Sequence, residues 1–282
     1  MSSTRIATTR SAASAARIRR LRETVLAYYQ AHGRHDLPWR HTASAYRIMV
    51  SEVMLQQTQV PRVIEKYRAF TKAFPTVRAL AEAPLADVLR AWSGLGYNRR
   101  AKYLHEAAKR VVAEHGGRMP TTAAALEALP GIGPYTARAI AAFAYDAPGT
   151  FIETNIRAVF IHHCFPGRDA VADAELLPLI ERAGQGLSPR LWYSALMDYG
   201  THLKQTSGNA ARRSKHHVRQ QRFEGSLRQA RGAILRALAD GPVREAALLG
   251  ALGQPPEQLE RALAGLAKDG LIAKQGTRWQ LA

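Results

Sequence analysis

From Arg20 to Leu203 apolar residues recur at three and four spacing, interrupted by Gly and Pro. That is the periodicity of helices with one buried face. The pattern predicts a helix in "RLRETVLAYYQAHG", closed by Gly33, and another in "AYRIMVSEVMLQQT". "PRVIEKYRAFTKAF" places Pro61 in a first turn, where a helix needs no N–H donor, and stops at Pro75. "TVRALAEA" and "PLADVLRAWSGLG" read as short helices, "RRAKYLHEAAKRVVAEHGG" as a long one ending at paired glycines, and "TTAAALEAL" as one more. No strand-like alternation of useful length precedes residue 270. The fold class is therefore all-α, with a core domain over residues 20–205.

The pattern changes at both ends of that span. Residues 206–225, "TSGNAARRSKHHVRQQRFEG", are polar and basic and read as a linker segment. Residues 226–282 form a separate small unit: helices in "SLRQARGAILRALADG", "REAALLGALG" and "PPEQLERALAGLAKDG", then a hairpin around Gln275-Gly276. Three helices and a terminal hairpin resemble a winged helix-turn-helix. Its third helix carries Arg261 and Lys268 against Glu257, Glu260 and Asp269, so DNA contact by this unit stays open. Residues 1–19 are Ser/Thr/Ala/Arg-rich and acid-free, a composition shared by transit peptides and basic disordered arms; a disordered arm is expected.

Charge narrows the function. Forty Lys and Arg against 22 Asp and Glu give a net charge of +18, which points to a polyanion partner and first of all to nucleic acid. One cysteine, Cys164, excludes an internal disulfide and a cysteine-based metal site. There is no run of 18 apolar residues, so no membrane span is expected.

One stretch is built for phosphate. In "LPGIGPYTARAI", Gly131 and Gly133 let the chain turn tightly between two helices, while Leu129 and Ile132 anchor the turn in the core. The first N–H groups of the second helix, helped by its dipole, then face outward toward an anion. A DNA phosphate satisfies such donors without any base being read. An ordinary helix–turn–helix corner would carry the same Gly-X-Gly; the preceding proline, the flanking helices and the basic chain favour the phosphate reading.

The strings "LPWR…YRIMVSEVMLQQTQV", "AWSGLGYNRRAKYL" and "LPGIGPYTARAIAAFA" together resemble the helix-hairpin-helix superfamily of DNA base-excision glycosylases. Within it they are most similar to the adenine DNA glycosylase branch, which removes adenine mispaired with 8-oxoguanine. The resemblance runs from about Leu21 to Leu203, and "SEVMLQQTQV" is its most specific piece.

The resemblance implies roles. Glu52, in the apolar helix "RIMVSEVML", would be the general acid that protonates the leaving base; burial there would keep it protonated near neutral pH. Glu153 stands where the family has an aspartate that stabilises the cationic sugar, with Asn155 two residues on. Tyr135 stands where bifunctional relatives carry a Schiff-base lysine. A phenol forms no imine, so base removal without strand cleavage is implied. Lys102 and Lys204 do not match that position. Gln57 and Tyr97 would fill the gap left by a flipped base. Arg40, beside Trp39, matches a residue near the base pocket, and Thr136 joins Leu129, Gly131, Ile132 and Gly133 as hairpin contacts to DNA.

The chain departs from the family in four places. Glu153 is one methylene longer than aspartate. The four cysteines of an iron–sulfur cluster are missing, so none is expected. In their place Arg212, Arg213, Lys215, Arg219 and Arg222 would supply positive charge to a phosphate, with His216 and His217 part of that basic surface. A structural monovalent cation at the hairpin remains compatible with this inventory. Ser194 replaces the Glu or Gln that holds adenine, and the C-terminal unit is too short for the domain that reads 8-oxoguanine. The expected activity is therefore monofunctional removal of a mispaired base, adenine opposite 8-oxoguanine or guanine. Removal of thymine or uracil opposite guanine, and non-catalytic DNA binding on the same scaffold, stay as alternatives. The expected partner is double-stranded DNA, bound by a DNA-associated cytoplasmic monomer.

Overall fold

The computed structural model describes residues 2–219 and 222–282, apart from the side chains of residues 2–14. In chain order the first helices are α1 (Ser2–His32), α2 (Ala45–Leu55), α3 (Val60–Ala73), α4 (Val77–Glu82), α5 (Leu85–Trp92), α6 (Arg99–His115), α7 (Ala123–Glu127) and α8 (Pro134–Tyr145). They are followed by α9 (Thr154–Cys164), α10 (Asp173–Gly184), α11 (Pro189–Thr206), α12 (Leu227–Ala237), α13 (Glu245–Ala251) and α14 (Pro256–Lys268). Three short strands, β1 (Val243–Arg244), β2 (Ile272–Gln275) and β3 (Arg278–Leu281), complete the element order.

The helices start where the sequence supplies a cap. Ser44, Thr76, Thr122, Ser188 and Ser226 each accept a hydrogen bond from a first-turn N–H, worth about 1 kcal/mol apiece. At the other end of α6, Gly116 takes the left-handed conformation that closes the helix.

The chain divides into two compact units, Met1–Ala43 with Ala137–Arg219 and Ser44–Thr136 with Gln220–Ala282. The first unit packs α1, α9, α10 and α11 around Leu21, Val25, Ile156, Phe160, Ile180 and Leu196. There α9 and α11 approach so closely that a Cβ at Gly200 would sit 2.5 Å from the Asn155 carbonyl oxygen. The second unit packs α2 to α6 around Met49, Val63, Phe70, Leu80, Trp92 and Leu104. Each such side chain contributes about 1.5–3 kcal/mol by leaving water.

The winged-helix-like segment lies in the second unit. Its α12 and α14 pack through Ala230, Ile234, Leu259, Leu263 and Leu266, and its antiparallel sheet has the order β1–β3–β2. The expected hairpin pairs Ile272 with Leu281 and Gln275 with Arg278. Strand β1 was not expected, because two residues are too short to show alternation. Arg90 and Lys102 tie this segment to α5 and α6, donating to the carbonyls of Ala239 (2.6 Å) and Asp269 (2.7 Å).

Two expectations need correction. In place of a disordered arm over 1–19, α1 is helical from Ser2; Ala and Arg are strong helix formers and no Gly or Pro interrupts them. The arm's side chains up to residue 14 lie outside the described residues. The segment 206–225 is not a plain linker either: α11 runs into it as far as Thr206, and a 3-10 turn follows at Ala210–Arg213. Val171 then donates to the Arg213 carbonyl at 3.0 Å and accepts from Lys215 at 2.9 Å.

Candidate active site

In the second unit Glu52 sits on α2 among buried Met49, Val50, Val53 and Met54, and is itself only 8% exposed. Tyr135, on the first turn of α8, points its hydroxyl at Glu52 Oε2 from 3.3 Å. The residue expected to mark a monofunctional enzyme thus contacts the expected acid. One residue on, Thr136 is buried, and its hydroxyl accepts from Gln56 Nε2 at 3.2 Å. Its side chain joins the hairpin helix to the loop after α2 and is not presented to solvent.

The hairpin is built as its sequence implies. Leu129 and Ile132 are buried, and Ile132 N–H donates to the Leu129 carbonyl at 3.1 Å. Gly131 has φ +72°, and a Cβ on it would meet Tyr103 Cβ at 2.5 Å. Gly133 differs: it is exposed, and a Cβ there would meet nothing within 4 Å. The protein's own packing leaves room for a side chain at Gly133, so its bare backbone keeps space open at the start of α8.

Gln57 and Tyr97 lie on turns in the left-handed region, with φ 55° and 48°. Non-glycine residues pay about 1–2 kcal/mol to stay there, so the surroundings must hold them. Arg100 is one such hold. It donates to the carbonyls of Val53 (2.7 Å), Met54 (3.1 Å) and Gln56 (2.6 Å) on one side. On the other it donates to those of Leu95 (3.1 Å) and Gly96 (3.0 Å). One guanidinium therefore stitches the loop carrying Gln57 to the turn carrying Tyr97, and burial lowers its pKa to about 10. Both residues line the same two cavities, of about 370 and 570 Å³.

In the first unit Glu153 is the N-cap of α9. Its Oε1 accepts from the N–H groups of Asn155 (2.6 Å) and Ile156 (3.0 Å), and its Oε2 from Asn155 Nδ2 (3.3 Å). Burial raises its pKa above the ordinary glutamate value, opposed by the Ile156 N–H, the Lys204 ammonium and the Asn155 N–H. Burial likewise lowers the Lys204 pKa, while Glu153 pulls it up. Asn155 Oδ1 is buried and has no hydrogen-bond partner, leaving an acceptor beside this carboxyl.

Arg40 is placed inward. It donates to Asp198 Oδ1 at 3.0 Å and to the Tyr29 hydroxyl at 3.0 Å, and Arg34 reaches the same carboxylate with Nε at 2.8 Å. Asp198 is buried. This two-arginine clamp on α11 went unrecognised in the sequence, where Asp198 is a lone acid in an apolar helix. Ser194 is buried one turn earlier, and its carbonyl accepts from Arg40 at 3.4 Å. Of the expected phosphate contacts, Arg212 and Lys215 are exposed. Arg213 instead donates to the Phe165 carbonyl at 2.9 Å.

The thiolate set of an iron–sulfur cluster does not fit this chain. Cys164 is its one cysteine, and burial pushes that thiol up to about 11. Among the described residues no group of three or more His, Cys, Asp or Glu is arranged to hold a metal ion, and no helix is long and apolar enough to cross a membrane.

Comparison with known proteins places these features. Residues 50–182 match the family model for HhH-GPD superfamily base excision DNA repair proteins. The chain is 38% identical over 273 residues to an adenine DNA glycosylase of Mycolicibacterium smegmatis, covering 88% of this chain and 91% of that protein. It is 36% identical over 282 residues to the adenine DNA glycosylase of Mycobacterium tuberculosis, covering 89% of each. Among solved structures, a thermostable thymine-DNA glycosylase superposes with a TM-score of 0.59 at 26% identity, covering 67% of this chain and 88% of that one.

Proposed function

The chain belongs to the HhH-GPD superfamily of base excision DNA repair proteins and, within it, to the adenine DNA glycosylases; from that premise we propose that it hydrolyses the N-glycosidic bond of adenine mispaired with 8-oxoguanine or guanine and leaves the DNA strand uncut. The observation that carries the chemistry is the Glu52 carboxyl, buried on apolar α2 and approached by the Tyr135 hydroxyl.

Glu52 serves as proton donor. A proton placed on a ring nitrogen of adenine turns the base into a neutral leaving group and weakens the C–N bond. The sugar then carries positive charge, and the Glu153 carboxylate stabilises it. The unpartnered Asn155 Oδ1 accepts a hydrogen bond from the incoming water. Tyr135 in the lysine position leaves no amine to trap the sugar, so no lyase step follows. Gln57 and Tyr97 enter the duplex as the base leaves it. The hairpin holds the backbone through the N-terminus of α8 and the space at Gly133. Arg40, clamped on Asp198, ties the loop after α1 to α11 in the unit that carries Glu153.

The test is base release measured across duplexes that differ in one pair: adenine opposite 8-oxoguanine or guanine, thymine or uracil opposite guanine, and a matched control. Free adenine with an intact sugar–phosphate strand is the expected result. Ser194, in place of an adenine-holding Glu or Gln, is the feature that favours a different base; release of thymine or uracil in preference to adenine would replace this reading with that one.

A further inference from the structure

We infer that Arg228, in the first turn of α12, is a positioning residue for Tyr97 and so makes the winged-helix-like segment part of lesion recognition; this rests on the reading of Tyr97 as a gap filler. Arg100 secures the backbone of the Tyr97 turn, and its guanidinium lies 5.5 Å from the ring centre. Arg228 reaches the far end of the side chain. Its Nη1 donates to the Tyr97 hydroxyl at 2.5 Å, and its guanidinium lies 5.1 Å from the centre of the same ring. The tyrosine is thereby gripped at both ends, by one arginine of its own turn and one from the C-terminal segment.

Arg228 stands on a firm base. Ser226 caps α12, and the Gln258 amide donates to the Gly225 carbonyl at 2.8 Å just before it. One turn along, Arg231 pairs with Asp269 at 2.6 Å, and the backbone carbonyl of Asp269 accepts from Lys102 on α6. The two cavities that include Gln57 and Tyr97 both include Arg228 as well. Phe223, 57% exposed, lies 6.0 Å from the Arg228 guanidinium and adds a second flat ring to one of them.

A half-exposed tyrosine loses rotamer freedom when it enters a base stack. A side chain already held in one pose loses less, so the anchor favours every duplex in which a gap must be filled and leaves matched DNA unaffected. A plain phosphate contact would act differently. It would weaken all duplexes alike and make the salt dependence shallower by about 0.9 in log–log slope.

The experiment uses the full chain as wild type, R228M, R228K, Y97F and the Y97F/R228M double variant. Affinities are measured for a matched duplex and for the same duplex carrying a tetrahydrofuran abasic analogue, at several salt concentrations. The abasic analogue makes the result independent of which base is excised. Y97F keeps the ring and removes only the hydroxyl that Arg228 holds. R228M and Y97F should each reduce the preference for the abasic duplex about 3–10-fold, with the double variant no worse than either and the salt slope unchanged. R228K, which keeps a donor, should recover part of the loss even if R228M folds poorly. Losses that multiply in the double variant, or an equal loss on both duplexes with a shallower slope, would overturn the inference. A Y97A variant that keeps the full wild-type preference would instead remove the gap-filling reading beneath it.

Discussion

The two hairpin glycines should fail in opposite ways. At Gly131 the left-handed φ of +72° costs an alanine about 1–2 kcal/mol. Its Cβ would also lie 2.5 Å from Tyr103 Cβ, which is anchored by its own backbone and yields only if the helix shifts. Overpacking of that kind adds about 1–3 kcal/mol. Gly131→Ala should therefore lose about 3 kcal/mol and lower the thermal midpoint by roughly 6–12 °C. At Gly133 the new methyl meets no protein atom within 4 Å, so Gly133→Ala should change stability by no more than about 0.5 kcal/mol. If a phosphate occupies that space, the same methyl obstructs it. Affinity for a matched duplex should then fall about 10-fold, and the slope of log K against log salt should become shallower by about 0.9. Thermal unfolding and fluorescence anisotropy at four salt concentrations measure both quantities on both variants. The reasoning fails if Gly133→Ala binds DNA with wild-type affinity and slope, or if Gly131→Ala is as stable as wild type.

Glu153→Ala should reduce single-turnover base release by at least about 100-fold while leaving DNA affinity within a few-fold; Glu153→Asp, a preferred N-cap residue, should keep α9 intact but draws the carboxylate back by one bond, a displacement that can cost about 100-fold. Lys204→Met removes a charge that lowers the Glu153 pKa, so the acid limb of the pH–rate profile should move to higher pH; an unmoved limb would separate Lys204 from the reacting carboxylate. His163 is half-buried with its Nε2 2.9 Å from the Tyr199 hydroxyl, and desolvation holds its pKa at about 4 against 6.5 when unfolded. Its contribution to stability is complete above pH 6.5 and lost as pH falls through about 4, so His163→Gln should lose less stability than wild type between those values in urea titrations.

The helices were legible because their apolar spacing is regular and their starts carry Ser or Thr. The hairpin was legible because Gly131 has no substitute at its φ, and Glu52 because a lone acid in "RIMVSEVML" stands out. Other parts of the site were not legible, for a common reason. Arg100 and Arg228 are two of 40 basic residues, and Arg40, legible as a residue near the base pocket, gave no sign of its partner; what sets all three apart is the oxygen each one meets. Arg100 meets carbonyls from two separate turns, Arg228 a phenol far away in sequence, and Arg40 a buried carboxylate on α11. No local pattern announces such partners. The same limit hid two packing contacts: the Thr136 hydroxyl accepts from Gln56, and Arg213 Nη1 donates to the Phe165 carbonyl. Glu153 acts as an N-cap through two amides, which its residue type does not suggest, since glutamate is not among the usual caps.

The most direct test is the quantity of free adenine released in a single turnover from a duplex with adenine opposite 8-oxoguanine, by wild type and by Glu52→Gln. The substitution keeps the size of the side chain and an acceptor for the Tyr135 hydroxyl but has no proton to deliver. Wild type should release one adenine per duplex and leave the strand unbroken. Glu52→Gln should bind that duplex as wild type does and release adenine about 10²–10⁴-fold more slowly. Adenine release at the wild-type rate by Glu52→Gln, or no adenine from the wild-type protein, would contradict the account.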